Sequence, residues 1–160
     1  MPAETGEGIT LSTTVQVPGD YQAVAAEPVA ETTVDGFDVA VEGDLVAGSG
    51  SELTMTVTRD GEPVTALEPY LGAFGHLVAL RDGDLAYLHV HPHGDAPEAG
   101  ETSGPEIVFE ATAPTESRYL LFLDFQVDGQ VHTAPLVIDT TGTGSSTGDG
   151  HDEEGADHEH

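Results

Sequence analysis

Leu53-Thr54-Met55-Thr56-Val57-Thr58 puts an apolar side chain at every odd position and a threonine at every even one. A period of two is that of a half-buried β-strand, and β-branched threonine suits its solvent side. The pattern recurs on both sides. Upstream, Phe37-Asp38-Val39-Ala40-Val41 alternates in the same way. Downstream, Arg59-Asp60-Gly61-Glu62 turns the chain toward Pro63-Val64-Thr65, and His76–Arg81, Ala86–His91, Ile107–Thr112, Tyr119–Gln126 and Gln130–Ile138 follow. Asp82-Gly83-Asp84 and Asp128-Gly129 are hairpin signals. No helical periodicity interrupts them. The spacing predicts an all-β fold, an immunoglobulin-like antiparallel β-sandwich of about seven strands with flexible acidic termini. A closed barrel is the structural alternative, and no internal repeat points to a propeller or solenoid.

Composition divides the 160 residues into three zones. Residues 1–35 are small, acidic and rich in Val, Thr and Ala; they read as a leader or linker, with Thr10–Val17 offering one extra strand. Residues 36–138 carry the strand pattern. Residues 139–160 form an acidic tail that includes His151, His158 and His160 but almost no apolar side chain, so disorder is expected there.

Charge excludes whole classes of function. Thirty Asp and Glu stand against three arginines, Arg59, Arg81 and Arg118, for a formal net charge of −27. Nucleic acids and anionic membranes need clustered cations, so neither is expected as a partner. With no lysine and no cysteine, Schiff-base chemistry, thiolate nucleophiles and Cys-ligated metals are all excluded. No stretch approaches the about 20 apolar residues of a membrane span, so no direct membrane insertion is expected. Met1-Pro2-Ala3-Glu4 does not open a signal peptide, which fits a cytoplasmic protein or an exported one whose leader is absent from this chain.

The histidines carry the chemistry. His76, His89, His91, His93 and His132 lie in the strand region. If Gly83-Asp84 is a two-residue hairpin loop, His76 stands directly across from His91, and Val78 across from His89. Opposed Cβ atoms lie about 4.5–5.5 Å apart, and alternation puts His76, His89 and His91 on one face. Three imidazoles so placed suit a borderline divalent ion, copper or zinc. A one-residue slip of register would break the set. The plainer reading is a solvated or packing role for the same side chains.

Asp124 interrupts Tyr119-Leu120-Leu121-Phe122-Leu123-Asp124-Phe125, a strand apolar on both faces and therefore central. A carboxylate there needs a partner: the ion itself, a ligand histidine whose tautomer it fixes, or Tyr70, Arg118 or a backbone amide. With Asp128-Gly129 as the second loop, His132 faces Phe125 and projects opposite to Asp124. His132 and His93 are thus weaker ligand candidates, and the acidic tail is a weak metal scavenger.

Nothing marks an enzyme. There is no Gly-x-Ser-x-Gly elbow, no phosphate-cradling glycine loop before a helix, and no His-Glu-x-x-His. A non-catalytic module is expected.

Three segments carry a resemblance: Pro69-Tyr70-Leu71-Gly72-Ala73-Phe74-Gly75-His76-Leu77-Val78-Ala79-Leu80, Leu85-Ala86-Tyr87-Leu88-His89-Val90-His91-Pro92, and Arg118-Tyr119-Leu120-Leu121-Phe122-Leu123-Asp124-Phe125-Gln126. In this order, GHLV…HVHP…FLDFQ resembles a family of largely uncharacterised bacterial secreted, lipoprotein or membrane-anchored domains. They are common in actinobacteria and often named as heavy-metal-associated. The resemblance covers about residues 36–138. It implies an immunoglobulin-like sandwich outside the cytoplasm, with His76, His89, His91 and Asp124 on the motif positions. The expectation is an extracytoplasmic copper- or zinc-binding module, with a protein partner at the cell surface left open. The alternative is an accessory or adhesion domain of an exported protein whose histidines are structural.

Overall fold

The computed structural model describes residues 24–142, together with 13, 15–20 and 22. Nine strands run in chain order: β1 (Glu31–Val34), β2 (Phe37–Glu42), β3 (Gly50–Arg59), β4 (Glu62–Pro63), β5 (Gly75–Arg81), β6 (His89–Pro92), β7 (Glu106–Thr112), β8 (Arg118–Val127) and β9 (Gln130–Asp139). No helix occurs among the described residues. One sheet has the order β1-β2-β3-β7-β6, with β4 hairpinned onto β3; the other has the order β5-β8-β9. All these strand pairs are antiparallel.

Apart from β1 and β4, the two sheets reproduce the four-plus-three strand arrangement of a constant-type immunoglobulin domain, with β2-β3-β7-β6 facing β5-β8-β9. The predicted sandwich is the observed one. β1 and β4 add to the seven expected strands, and β1 begins inside the zone read as leader. Of the proposed strand Thr10–Val17, only Thr13 and Val15–Val17 fall among the described residues, and they have no regular structure. The tail from residue 143 lies outside the described residues, His151, His158 and His160 with it.

Alternation builds the core. Leu53, Met55 and Val57 of β3, Ile107, Phe109 and Ala111 of β7, and Tyr119, Leu121, Leu123 and Phe125 of β8 all turn between the sheets. Burying each of the Leu, Ile, Val, Met and Phe side chains among them contributes roughly 1.5–3 kcal/mol against the ordering entropy of the chain.

The two outer faces differ. On the larger sheet Glu31, Asp38, Glu42, Glu52, Glu106 and Glu110 occupy the positions that alternate with the core residues. On the smaller sheet the corresponding positions of β5 and β8 are His76, Val78 and Leu80, then Leu120, Phe122, Asp124 and Gln126, all half-buried. The strand carboxylates are concentrated on the larger sheet's side of the sandwich.

Candidate metal-binding site

β5 and β6 are joined as expected only at first. Leu80 bridges Tyr87, the Arg81 amide donates to the Ala86 carbonyl at 2.9 Å, and the Leu88 amide to the Ala79 carbonyl at 2.8 Å. This is the alignment the sequence suggests, around a loop of four residues, Asp82 to Leu85, rather than two. Asp84 ties the loop: its carboxylate accepts from the Arg81 guanidinium and from the Ala86 amide.

At Leu88 the path changes. Leu88 is 2 % exposed, plugged between the sheets. The chain then crosses to the larger sheet, where β7 offers a full ladder: His89 pairs with Thr112 and His91 with Glu110. His76 remains on β5, opposite Asp124 of β8. The expected opposition of His76 and His91 is therefore incorrect, and so is the three-histidine face. The cause is the sandwich itself, which sends these consecutive strands to opposite sheets.

Each candidate then has its own setting. The His76 Nε2 lies 2.7 Å from the Tyr70 carbonyl, and its ring meets the Tyr70 ring edge-on at 5.8 Å. A carbonyl only accepts, so Nε2 carries the proton and Nδ1 is the unprotonated nitrogen of the neutral ring. Asp124 accepts from the hydroxyl of Thr133 on the neighbouring β9, a partner absent from those considered in the sequence. His132 stands opposite Phe125, as the second hairpin predicts, but it is a core residue. Its Nδ1 donates to the Asp35 carboxylate at 2.8 Å, and its ring packs against Phe37 and Phe125 at 4.8 and 5.4 Å.

His89 and His91 are different. Both are exposed, and their rings meet edge to face with centroids 4.2 Å apart. His91 is followed across the sheet by Glu110 and then by Glu52, one register row over three strands. His93 lies beside the same row, its Nδ1 3.8 Å from the Glu52 carboxylate. A shallow groove of about 290 Å³ runs along it, lined by Gly50, Ser51, Glu52, His91, Glu110 and Thr112. The sequence reading missed Glu52 and Glu110, which carry no signal until β6, β7 and β3 are known to be neighbours.

Two imidazoles side by side with a carboxylate opposite one of them are a partial ligand set. Among the described residues no three His, Asp or Glu side chains converge as a metal site does. The donor types fit copper or zinc, which accept imidazole nitrogen readily, but one copy of the strand supplies too few donors for a closed site.

A family model for a domain of unknown function, DUF8832, matches residues 32–142. The chain belongs to the DUF8832 family. The DUF8832 match takes in both sheets, from the second residue of β1 to just past β9. No curated protein matches the sequence. Among solved structures the chain is similar to a DUF4426 family protein from Pseudomonas aeruginosa PAO1, at 9 % identity and a TM-score of 0.47, over 70 % of this chain and 94 % of that one. It is also similar to a conjugative transposon lipoprotein from Bacteroides eggerthii DSM 20697, at 12 % identity and a TM-score of 0.39, over 66 % and 97 %. Among the described residues no helix is long and apolar enough to cross a membrane.

Proposed function

We propose that this DUF8832 domain is an extracytoplasmic, non-catalytic module that binds a divalent transition metal, copper first and zinc second, through His89 and His91. The observation that carries the reading is the exposed imidazole pair, 4.2 Å apart, on a strand whose neighbour presents Glu110 opposite His91. Exposed histidines with no hydrogen-bond partner among the described residues keep their nitrogen lone pairs for a ligand. A surface with many carboxylates also raises the local concentration of cations. The location outside the cytoplasm rests on the GHLV…HVHP…FLDFQ resemblance.

His76, Asp124 and His132 move out of the ligand set in this reading, because each is engaged within the fold. The competing accessory-domain reading, with structural histidines, describes His132 well and leaves His89 and His91 without a role.

Calorimetric titration of the full chain with Cu(II) and with Zn(II) at neutral pH tests the reading, in a background where His151, His158 and His160 are alanine. Saturable binding is expected. His89→Ala or His91→Ala should weaken it by more than the about 10–100-fold that loss of an outer hydrogen-bonding partner costs, whereas Asp124→Asn should change it little. Affinity should fall between about pH 7 and pH 5, since protons compete for imidazole nitrogen. No saturable binding would discard the metal reading.

A further inference from the structure

Glu52 and Glu110 face each other where a cation belongs between them. The Val57 amide donates to the Pro105 carbonyl at 2.9 Å, in the same β3–β7 register that sets Glu52 opposite Glu110. Bonded and non-bonded pairs alternate along an antiparallel ladder. Counting back from Val57, Glu52 and Glu110 form a non-hydrogen-bonded pair, the kind whose Cα atoms come closest, about 4.5 Å apart. Like charges so opposed are destabilising. Among the described residues neither carboxylate pairs with an arginine, and the ion-pair partner of Glu52 is His93, with Nδ1 at 3.8 Å.

The row beside this pair is open. Thr112 and Gly50 occupy it, and a Cβ added at Gly50 would meet no atom within 4 Å. On β6, His89 ends the Thr112–Gly50 row as His91 ends the Glu110–Glu52 row. The groove of about 290 Å³ thus has an imidazole at its β6 end, Glu110 in the middle and Glu52 at its β3 end.

We propose that Glu110 and Glu52 complete the ligand set of the ion held by His89 and His91, so that a single chain closes the site across β6, β7 and β3. The proposal rests on the metal reading above and assigns the donors that β6 lacks. All four side chains are exposed, so gathering them round an ion changes side-chain torsions and leaves the ladders intact. His91 and Glu52 are two strand spacings apart, about 10 Å, which two extended side chains with an ion between them span. Two imidazole nitrogens and two carboxylate oxygens suit tetrahedral Zn(II) or tetragonal Cu(II). Two negative charges balance the dication, so the repulsion between Glu52 and Glu110 gives way to attraction through the ion. Without the ion, the same carboxylates work against the fold.

Zinc calorimetry, with thermal melts in chelator, tests this on the full chain with His151, His158 and His160 replaced by alanine. One zinc per chain is expected. Glu110→Gln and Glu52→Gln keep the side-chain shape and remove one charge. Each should weaken binding by about 100-fold or more, beyond the usual loss for an outer partner, while melting in chelator no lower than the parent. Glu106→Gln makes the same charge change on β7 outside the row and should alter affinity little. Gly50→Val keeps every donor, suits a strand, and should weaken binding by filling the groove. Unchanged affinity in both Glu52→Gln and Glu110→Gln, with His91→Ala still losing the ion, would overturn this proposal and leave the metal reading standing. An equal loss in Glu106→Gln would also overturn it, by making the effect one of overall charge. A lower melting temperature of the two variants in chelator would do the same, by giving the carboxylates to the fold. No binding by the parent would remove both readings.

Discussion

The Tyr119 hydroxyl donates to the Thr115 carbonyl at 3.0 Å, four residues upstream, at the corner where the chain enters β8. Tyr119 is also among the largest fully buried side chains, so one residue fills the core and pins the turn that feeds the central strand of the smaller sheet. This is the tyrosine corner known in immunoglobulin-like sandwiches. Tyr119→Phe keeps the ring and loses the hydrogen bond. Urea denaturation should show a loss of about 1 kcal/mol, in the range for one hydrogen bond, with metal affinity unchanged.

His132 should behave as core. Its ring is packed by Phe37 and Phe125 and anchored to Asp35, the first turn residue between β1 and β2. His132→Ala leaves a cavity and an unanchored turn, and a loss of roughly 2–4 kcal/mol is expected by the same urea assay. Zinc stoichiometry should stay as it is in the parent chain. A change in zinc uptake with stability preserved would mean that His132 is a ligand after all.

Acid titration should separate the two arginine pairs from the rest of the acidic surface. The hydrogen bonds from Arg81, and then from the Ala86 amide, hold the Asp84 carboxyl down to about 2. Arg118, chiefly by hydrogen bonding, lowers Asp139 as well. A carboxylate whose pKa is depressed by folding stabilises the native state above its unfolded pKa, about 3.9, and that contribution fades as pH falls through the folded value. The melting-temperature difference between the parent chain and Asp84→Asn should therefore be constant above about pH 5 and vanish only toward about pH 1. Asp84 is solvent-exposed and Arg81 only partly buried, so the difference should be small.

Three of the four Asp-Gly dipeptides in the strand region explain how much of the fold was legible. Asp35-Gly36, Asp60-Gly61 and Asp128-Gly129 each place both residues at positive φ and close a two-residue hairpin. Such a loop fixes the register that follows, which is why the pairing of His132 with Phe125 could be read directly. β1 escaped notice only because Asp35-Gly36 was not used in the same way. Asp82-Gly83 misleads: Gly83 and Leu85 have positive φ instead, and the loop holds four residues. The local alignment survived that error, but the path did not. An immunoglobulin-like sandwich places its third and fourth main strands in opposite sheets, so the fold assignment already conflicted with a long hairpin between them. His76 and His91 were separated by topology, which no short-range pattern encodes. Glu110 and Glu52 joined His91 for the same reason.

The uneven distribution of acids over the two outer faces gives the molecule a direction. Six strand carboxylates look out from the larger sheet, where His89 and His91 lie at one margin, while the outward residues of β5 and β8 on the smaller sheet are mostly uncharged. These strand carboxylates weight the field toward the imidazole side. A dication diffusing nearby is drawn toward that hemisphere before any ligand is touched. Capture becomes a matter of arrival rate as much as of bond strength, and added salt slows the first by shortening the reach of the field.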